Sequence, residues 1–82
     1  MTRAEAKAIE TIGNLYDRYT RMIREARKAG ATKADVADMQ ARREQIGDDL
    51  VKAQDDLCAK YGLTTAAFGV EFSKALYQNE QA

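Results

Sequence analysis

Two stretches, IETIGNLYDRYTRMIREA at residues 9–26 and VADMQARREQIGDDLVKAQDDL at residues 36–57, decide the fold. In the first, Ile9, Ile12, Tyr16, Tyr19, Ile23 and Ala26 recur at alternating steps of three and four, the spacing of a heptad seam with Ile9 at a and Ile12 at d. In the second, Val36, Met39, Arg43, Ile46, Leu50, Ala53 and Leu57 keep the same steps. Folding the chain back at Gly30 and Ala31 opposes residues whose numbers sum to about 62, and the seams then agree layer by layer. Ala26 meets Val36, Ile23 meets Met39, Tyr19 meets Arg43, Tyr16 meets Ile46, Ile12 meets Leu50 and Ile9 meets Ala53. Two unrelated amphipathic helices would seldom match over so many consecutive layers. The pattern therefore predicts an antiparallel, coiled-coil-like helical hairpin.

Punctuation along the chain supports this division. Thr2 with Glu5 three residues later forms a capping box, which starts a first helix at about residue 3 and runs it to about residue 29, where Gly30 stops it. Thr32 with Asp35 repeats the box and predicts a second helix over about 33–61, closed by Gly62 with Leu63 packing beneath the cap. The link between them is then only two or three residues, which forces antiparallel pairing. Thr64 or Thr65 caps a third helix over about 65–78, whose Phe68, Phe72, Ala75 and Leu76, with Val70 and Tyr77 to the sides, form a broad apolar stripe. Residues 79–82 read as a frayed tail. The expected class is all-α, a single helical domain over residues 1–82, with the short third helix packed on the base of the hairpin.

The flank that receives the third helix is read from surplus apolar surface. Positions g of the first helix carry Ala8, Leu15, Met22 and Ala29, more than a two-helix seam requires. A third helix rising parallel to the first would set Phe68 near Ala8, Phe72 near Leu15 and Leu76 near Tyr19, leaving Met22 and the turn end uncovered. The opposite flank opposes Ala6 with Gln54, Gly13 with Gly47 and Thr20 with Gln40, all small or neutral.

Composition narrows the function. A chain of 82 residues buries only about 60 to 65% of its unfolded surface, so a partner or second copy would add to a small margin of stability. Thirteen basic and thirteen acidic residues give a formal net charge of zero, hence no long-range field to draw nucleic acid or an anionic membrane. No run approaches the roughly 20 apolar residues of a membrane span. The lone Cys58 and the absence of an apolar leader suggest a reducing cytoplasm. With no histidine and one cysteine, neither a nucleophile paired with histidine nor a zinc site of ordinary ligands can be assembled, and residues 30–33 lack the spacing of a phosphate loop. No catalytic residue, cofactor or metal site is expected.

Four features invite a functional reading, each beside a plainer one. Gly13 and Gly47 fall opposite one another, at a tight crossing or a kink within the hairpin, or at a groove where another helix approaches. Arg43 at an a position opposite Tyr19 lays its guanidinium on the tyrosine face with its stem packed and its head reaching solvent, or else is a polar seam residue that fixes register or awaits an acidic partner group. Arg18, Arg21, Arg24 and Arg27, with Lys28 and Lys33, make the turn end basic, but steps of three spiral around the helix and Asp17, Glu25, Asp35 and Asp38 dilute the field. A solvated face with local ion pairs accounts for them, as does contact with phosphate. Asp48, Asp49, Asp55 and Asp56 form two acidic pairs, which Lys52 and Lys60 turn into a solvated acidic face sooner than a cation site. Residues 1–29 carry net +3 and residues 33–61 net −2, which favours pairing of the two helices and an antiparallel stack of two copies.

Residues 57–68, LCAKYGLTTAAF, resemble the helix-turn-helix pattern of DNA-binding proteins, with Cys58 as the small residue, Gly62 four later, and apolar Leu63 and Phe68. The corresponding reading helix would present Thr64, Thr65, Ala66, Ala67, Gly69, Ser73 and a single Lys74 beside Glu71, almost nothing to hold phosphate or read base edges. The reading favoured is a non-enzymatic protein-interaction module, a homodimer or hetero-complex subunit that self-associates or docks on a larger partner as an accessory or inhibitor protein. Its expected contact surface is Arg18, Tyr19, Arg21, Met22, Arg24, Arg27 and Lys28, with close helix approach at Gly13 and Gly47. A small nucleic-acid-binding protein using the basic hairpin tip or the 57–68 corner ranks second.

Overall fold

The computed structural model describes residues 1–77 and builds them into α1 (Arg3–Lys28), α2 (Ala37–Tyr61) and α3 (Thr65–Tyr77). Long α1 and α2 fold back on each other and α3 packs at their base, giving a body of 47 × 27 × 18 Å. Every expected seam residue is buried or half-buried, with Ile9, Ile23, Val36 and Ile46 the most enclosed, as the helical period of each stretch requires.

The termini follow from local chemistry. The Thr2 hydroxyl accepts from the Glu5 N–H at 3.1 Å while a Glu5 carboxylate oxygen accepts from the Thr2 N–H at 2.8 Å, closing the box that starts α1. At its other end Gly30 takes φ +98°, and the Ala31 N–H reaches back to the Ala26 carbonyl while the Gly30 N–H donates to Arg27, a Schellman closure. Gly62, at φ +64°, ends α2 likewise, with the Leu63 N–H on the Cys58 carbonyl. Thr64 caps α3 by accepting from the Ala67 N–H.

The start of α2 differs from expectation. Thr32 and Asp35 do form their capping box, at 2.9 and 3.2 Å, but it closes a separate turn, and α2 begins only at Ala37. The Ala37 N–H bonds the Ala34 carbonyl, three residues back, and Val36 takes φ −102°, ψ 4°, which breaks the helical ladder. Val36 is also fully enclosed, at 0% exposure. Burying that side chain at the closed end of the seam swings the chain inward before the helix can propagate.

The path of α3 is a second correction. Its last turn, at Ala75 and Leu76, packs on Ala6 with Met1 and Phe72 around it. Leu76 therefore lies near the start of α1, about 20 Å of helical rise from the level of Tyr19 where it was expected. Ala6 is 0% exposed, whereas Ala8 and Leu15, the expected contacts of α3, are exposed. So α3 covers the Ala6/Gly13 flank, opposite to the one with surplus apolar residues. The small side chain of Ala6 explains part of the choice, since it leaves room for Ala75 and Leu76 to pack against α1, while Phe68 and Phe72 of α3 stack on each other at 5.9 Å between ring centroids. The third-helix boundary and tail expected at residues 78–82 lie outside the described residues.

Candidate interaction surface

The hairpin has two flanks, and α3 makes them unequal. On the Ala6/Gly13 side, an open groove of about 320 Å³ runs beneath α3, lined by Ile9, Gly13, Leu50, Phe68, Phe72 and Leu76 among others. Above it, Tyr16, Gly47, Leu50 and Val51 line a second groove of about 500 Å³, rimmed by Glu44 and Asp48. One close contact organises this region. A β-carbon on Gly47 would lie 3.2 Å from a Tyr16 ring carbon, so the absent side chain gives the ring its seat on the α2 backbone. Seated there, the ring comes within reach of Arg43 one turn away, whose guanidinium lies 5.2 Å from the ring centroid. The expected arginine-on-tyrosine contact thus exists, but on Tyr16 and not on Tyr19. Gly13 differs from Gly47, because nothing lies within 4 Å of its would-be β-carbon. Of the two glycines only Gly47 is closely approached, and by a ring, not by a second backbone.

On the other flank α1 is bare. Ala8, Leu15, Met22 and Ala29 are all exposed, Leu15 at 39% and Met22 at 42%. Around Met22 lies an open groove of about 540 Å³, walled by Arg18 and Arg21 on one side, Glu25 and Ala26 along α1, and Met39 from α2. Of the residues singled out in sequence, the structure brings Arg18, Arg21 and Met22 together here. Tyr19 is half-buried in the seam, and Arg24, Arg27 and Lys28 are exposed without lining the groove. Lys28 has a solvated partner in Glu25 at 3.8 Å. Glu25, Ala26 and Met39 were missed. Their heptad positions, c, d and d, border the g row on this side, so the signal was present in the same pattern that named Met22.

A polar cluster that the sequence did not announce ties the base together. Glu5, already in the capping box, accepts from Lys60 Nζ at 2.8 Å and from the Tyr61 hydroxyl at 2.5 Å, joining the start of α1 to the end of α2. Lys60, then the Thr2 backbone and Tyr61, hold the Glu5 carboxyl down at about 2. The same contacts push the Lys60 and Tyr61 protons to higher pH, with the bond to Glu5 the leading cause in each. These groups are solvent-facing and mutually satisfied, so the cluster acts as a clamp.

The 57–68 corner is two helices joined through Gly62 and a threonine cap, as its resemblance to a helix-turn-helix implied. Here α3 turns Phe68, Ala75 and Leu76 inward and leaves Lys74 paired with Glu71 at 3.6 Å. The acidic pairs of α2 are exposed, and among the described residues no three acidic or sulfur ligands converge as a metal site. Among those residues, too, no helix is long and apolar enough to cross a membrane. No protein family, curated protein or solved structure matches this chain.

Proposed function

We propose that the protein is a non-enzymatic interaction module, an accessory or inhibitor-type subunit that binds another protein chain through the bare flank of α1. The observation that carries this reading is the Met22 groove: an exposed, flexible thioether with apolar Leu15 one heptad away, set between Arg18 and Arg21. Methionine adapts to a partner's shape, and arginine serves carboxylates and aromatic faces alike at the rim of an interface. Because α3 takes the other flank, no part of the described chain covers this one.

The test is a triple variant, Met22→Glu with Arg21→Ala and Arg24→Ala. None of the three is a seam residue and all are exposed, so helicity and the melting temperature should stay near those of the parent. Self-association or partner binding should be lost. A triple variant that binds and self-associates like the parent would exclude this flank and turn attention to the Tyr16/Gly47 groove.

A further inference from the structure

We infer that the occupant of the bare flank is a second copy of this chain, laid face to face and antiparallel about a two-fold axis level with residues 18 and 19 of α1. This inference rests on the interaction reading above and names its partner. An isologous face must be complementary to itself, and such complementarity can be checked along the sequence. On α1 the row is Ala8, Leu15, Met22 and Ala29, and reversal about that level sets Leu15 on the partner's Met22 and Ala8 on the partner's Ala29. Apolar meets apolar throughout.

The neighbouring rows of α2 supply an independent check. The Tyr16 ring meets Gly47, in keeping with a pairing in which opposed residues of α1 and α2 sum to about 62 to 63. On this flank α2 presents exposed Asp38, Arg42, Asp49 and Lys52 at positions g and c. The midpoint of Arg42 and Asp49, and that of Asp38 and Lys52, both fall level with about residues 16 to 18 of α1. This is within about two residues, or ~3 Å of rise, of the midpoint set by Leu15 and Met22. The same axis therefore pairs Arg42 with the partner's Asp49 and Lys52 with the partner's Asp38, each twice by symmetry.

Three like-charge meetings, two of them the same pair repeated by symmetry, oppose these. Arg18 faces its own copy at the axis, and Asp35 approaches the partner's Asp56 at the ends, although the Asp35 carboxylate is already held by the Thr32 N–H at 2.9 Å. Two helices, each about 10 Å wide and about 38 Å long, present a face of roughly 750 Å². That is close to the ~800 Å² per partner of an ordinary specific interface.

The experiment is sedimentation equilibrium on the full chain and four variants, with circular dichroism to confirm that each is folded. The parent should be a dimer and Met22→Glu a monomer. Arg42→Asp alone should weaken the dimer on the order of 5-fold by setting aspartate against aspartate, and Arg42→Asp with Asp49→Arg should restore it. Arg18→Ala should tighten the dimer by about 2- to 5-fold, since it removes the like-charge meeting at the axis. A monomeric parent overturns the second copy as occupant. A dimer indifferent to Met22→Glu overturns the flank itself, and with it the interaction reading above. A dimer lost with Met22→Glu but not rescued by the charge exchange, or weakened by Arg18→Ala, overturns the antiparallel register while leaving the flank in place.

Discussion

Glu5 shows how much a single side chain can join. It serves the capping box of α1, a lysine and a tyrosine more than fifty positions away, all with one carboxylate. The linkage has a definite sign. A carboxyl whose folded value is about 2 against an ordinary 4.5 contributes stability that is fully present above about pH 4.5 and is lost as the pH falls toward 2. Glu5→Gln should therefore flatten the acid limb of the stability curve between those values, measured as the urea midpoint against pH. An unchanged acid limb would mean that the clamp does not form in solution. Raised values at Lys60 and Tyr61 work in the other direction: their contribution is intact below about pH 10 and declines as alkali removes those protons. The sequence disclosed half of this residue's role. A capping box is local and legible three residues apart, whereas contacts with Lys60 and Tyr61 depend on how the hairpin closes.

At the level of elements, the hairpin was legible and the placement of α3 was not, for different physical reasons. A seam is written into each helix as a period, and two periods can be laid against each other without coordinates. The direction in which α3 leaves α2 depends instead on the short Gly62 to Thr64 turn and on the room beside Ala6, which are angles and volumes. Counting apolar residues pointed to Ala8 and Leu15. Shape pointed the other way, and the gap at Val36 was hidden for a similar reason, since a complete capping box signalled a helix that tertiary burial postponed by a turn. A pair of substitutions separates the two flanks. Ala6→Leu should overpack the contact with Ala75 and Leu76 and destabilise by about 1 to 3 kcal/mol. Ala8→Leu, on the bare flank, should stay within about 0.5 kcal/mol. Denaturant melts of both check this, and the reverse ranking would put α3 back on the Ala8 flank.

Taken whole, the molecule is a hairpin finished on one side and unfinished on the other. Its third helix takes one flank of α1. The one it leaves carries the exposed Leu15 and Met22 between arginines of α1 and mixed charges of α2. The residues of the candidate site were partly legible, because Met22 stood out as surplus in the g row. Arg24, Arg27 and Lys28 were grouped with it by nearness in sequence, although the helix carries them away from the groove.

The most direct measurement uses the chain's three methionines, Met1, Met22 and Met39, labelled with carbon-13 at their methyl groups and followed by NMR through a dilution series. Met22 lies on the bare flank, Met39 lines its groove, and Met1 packs against α3 on the other side. If the bare flank of α1 is the contact surface, the Met22 resonance shifts with concentration, Met39 follows it more weakly, and Met1 stays fixed. A spectrum in which Met1 moves while Met22 does not, or in which none moves across the range where sedimentation sees mass change, would contradict it.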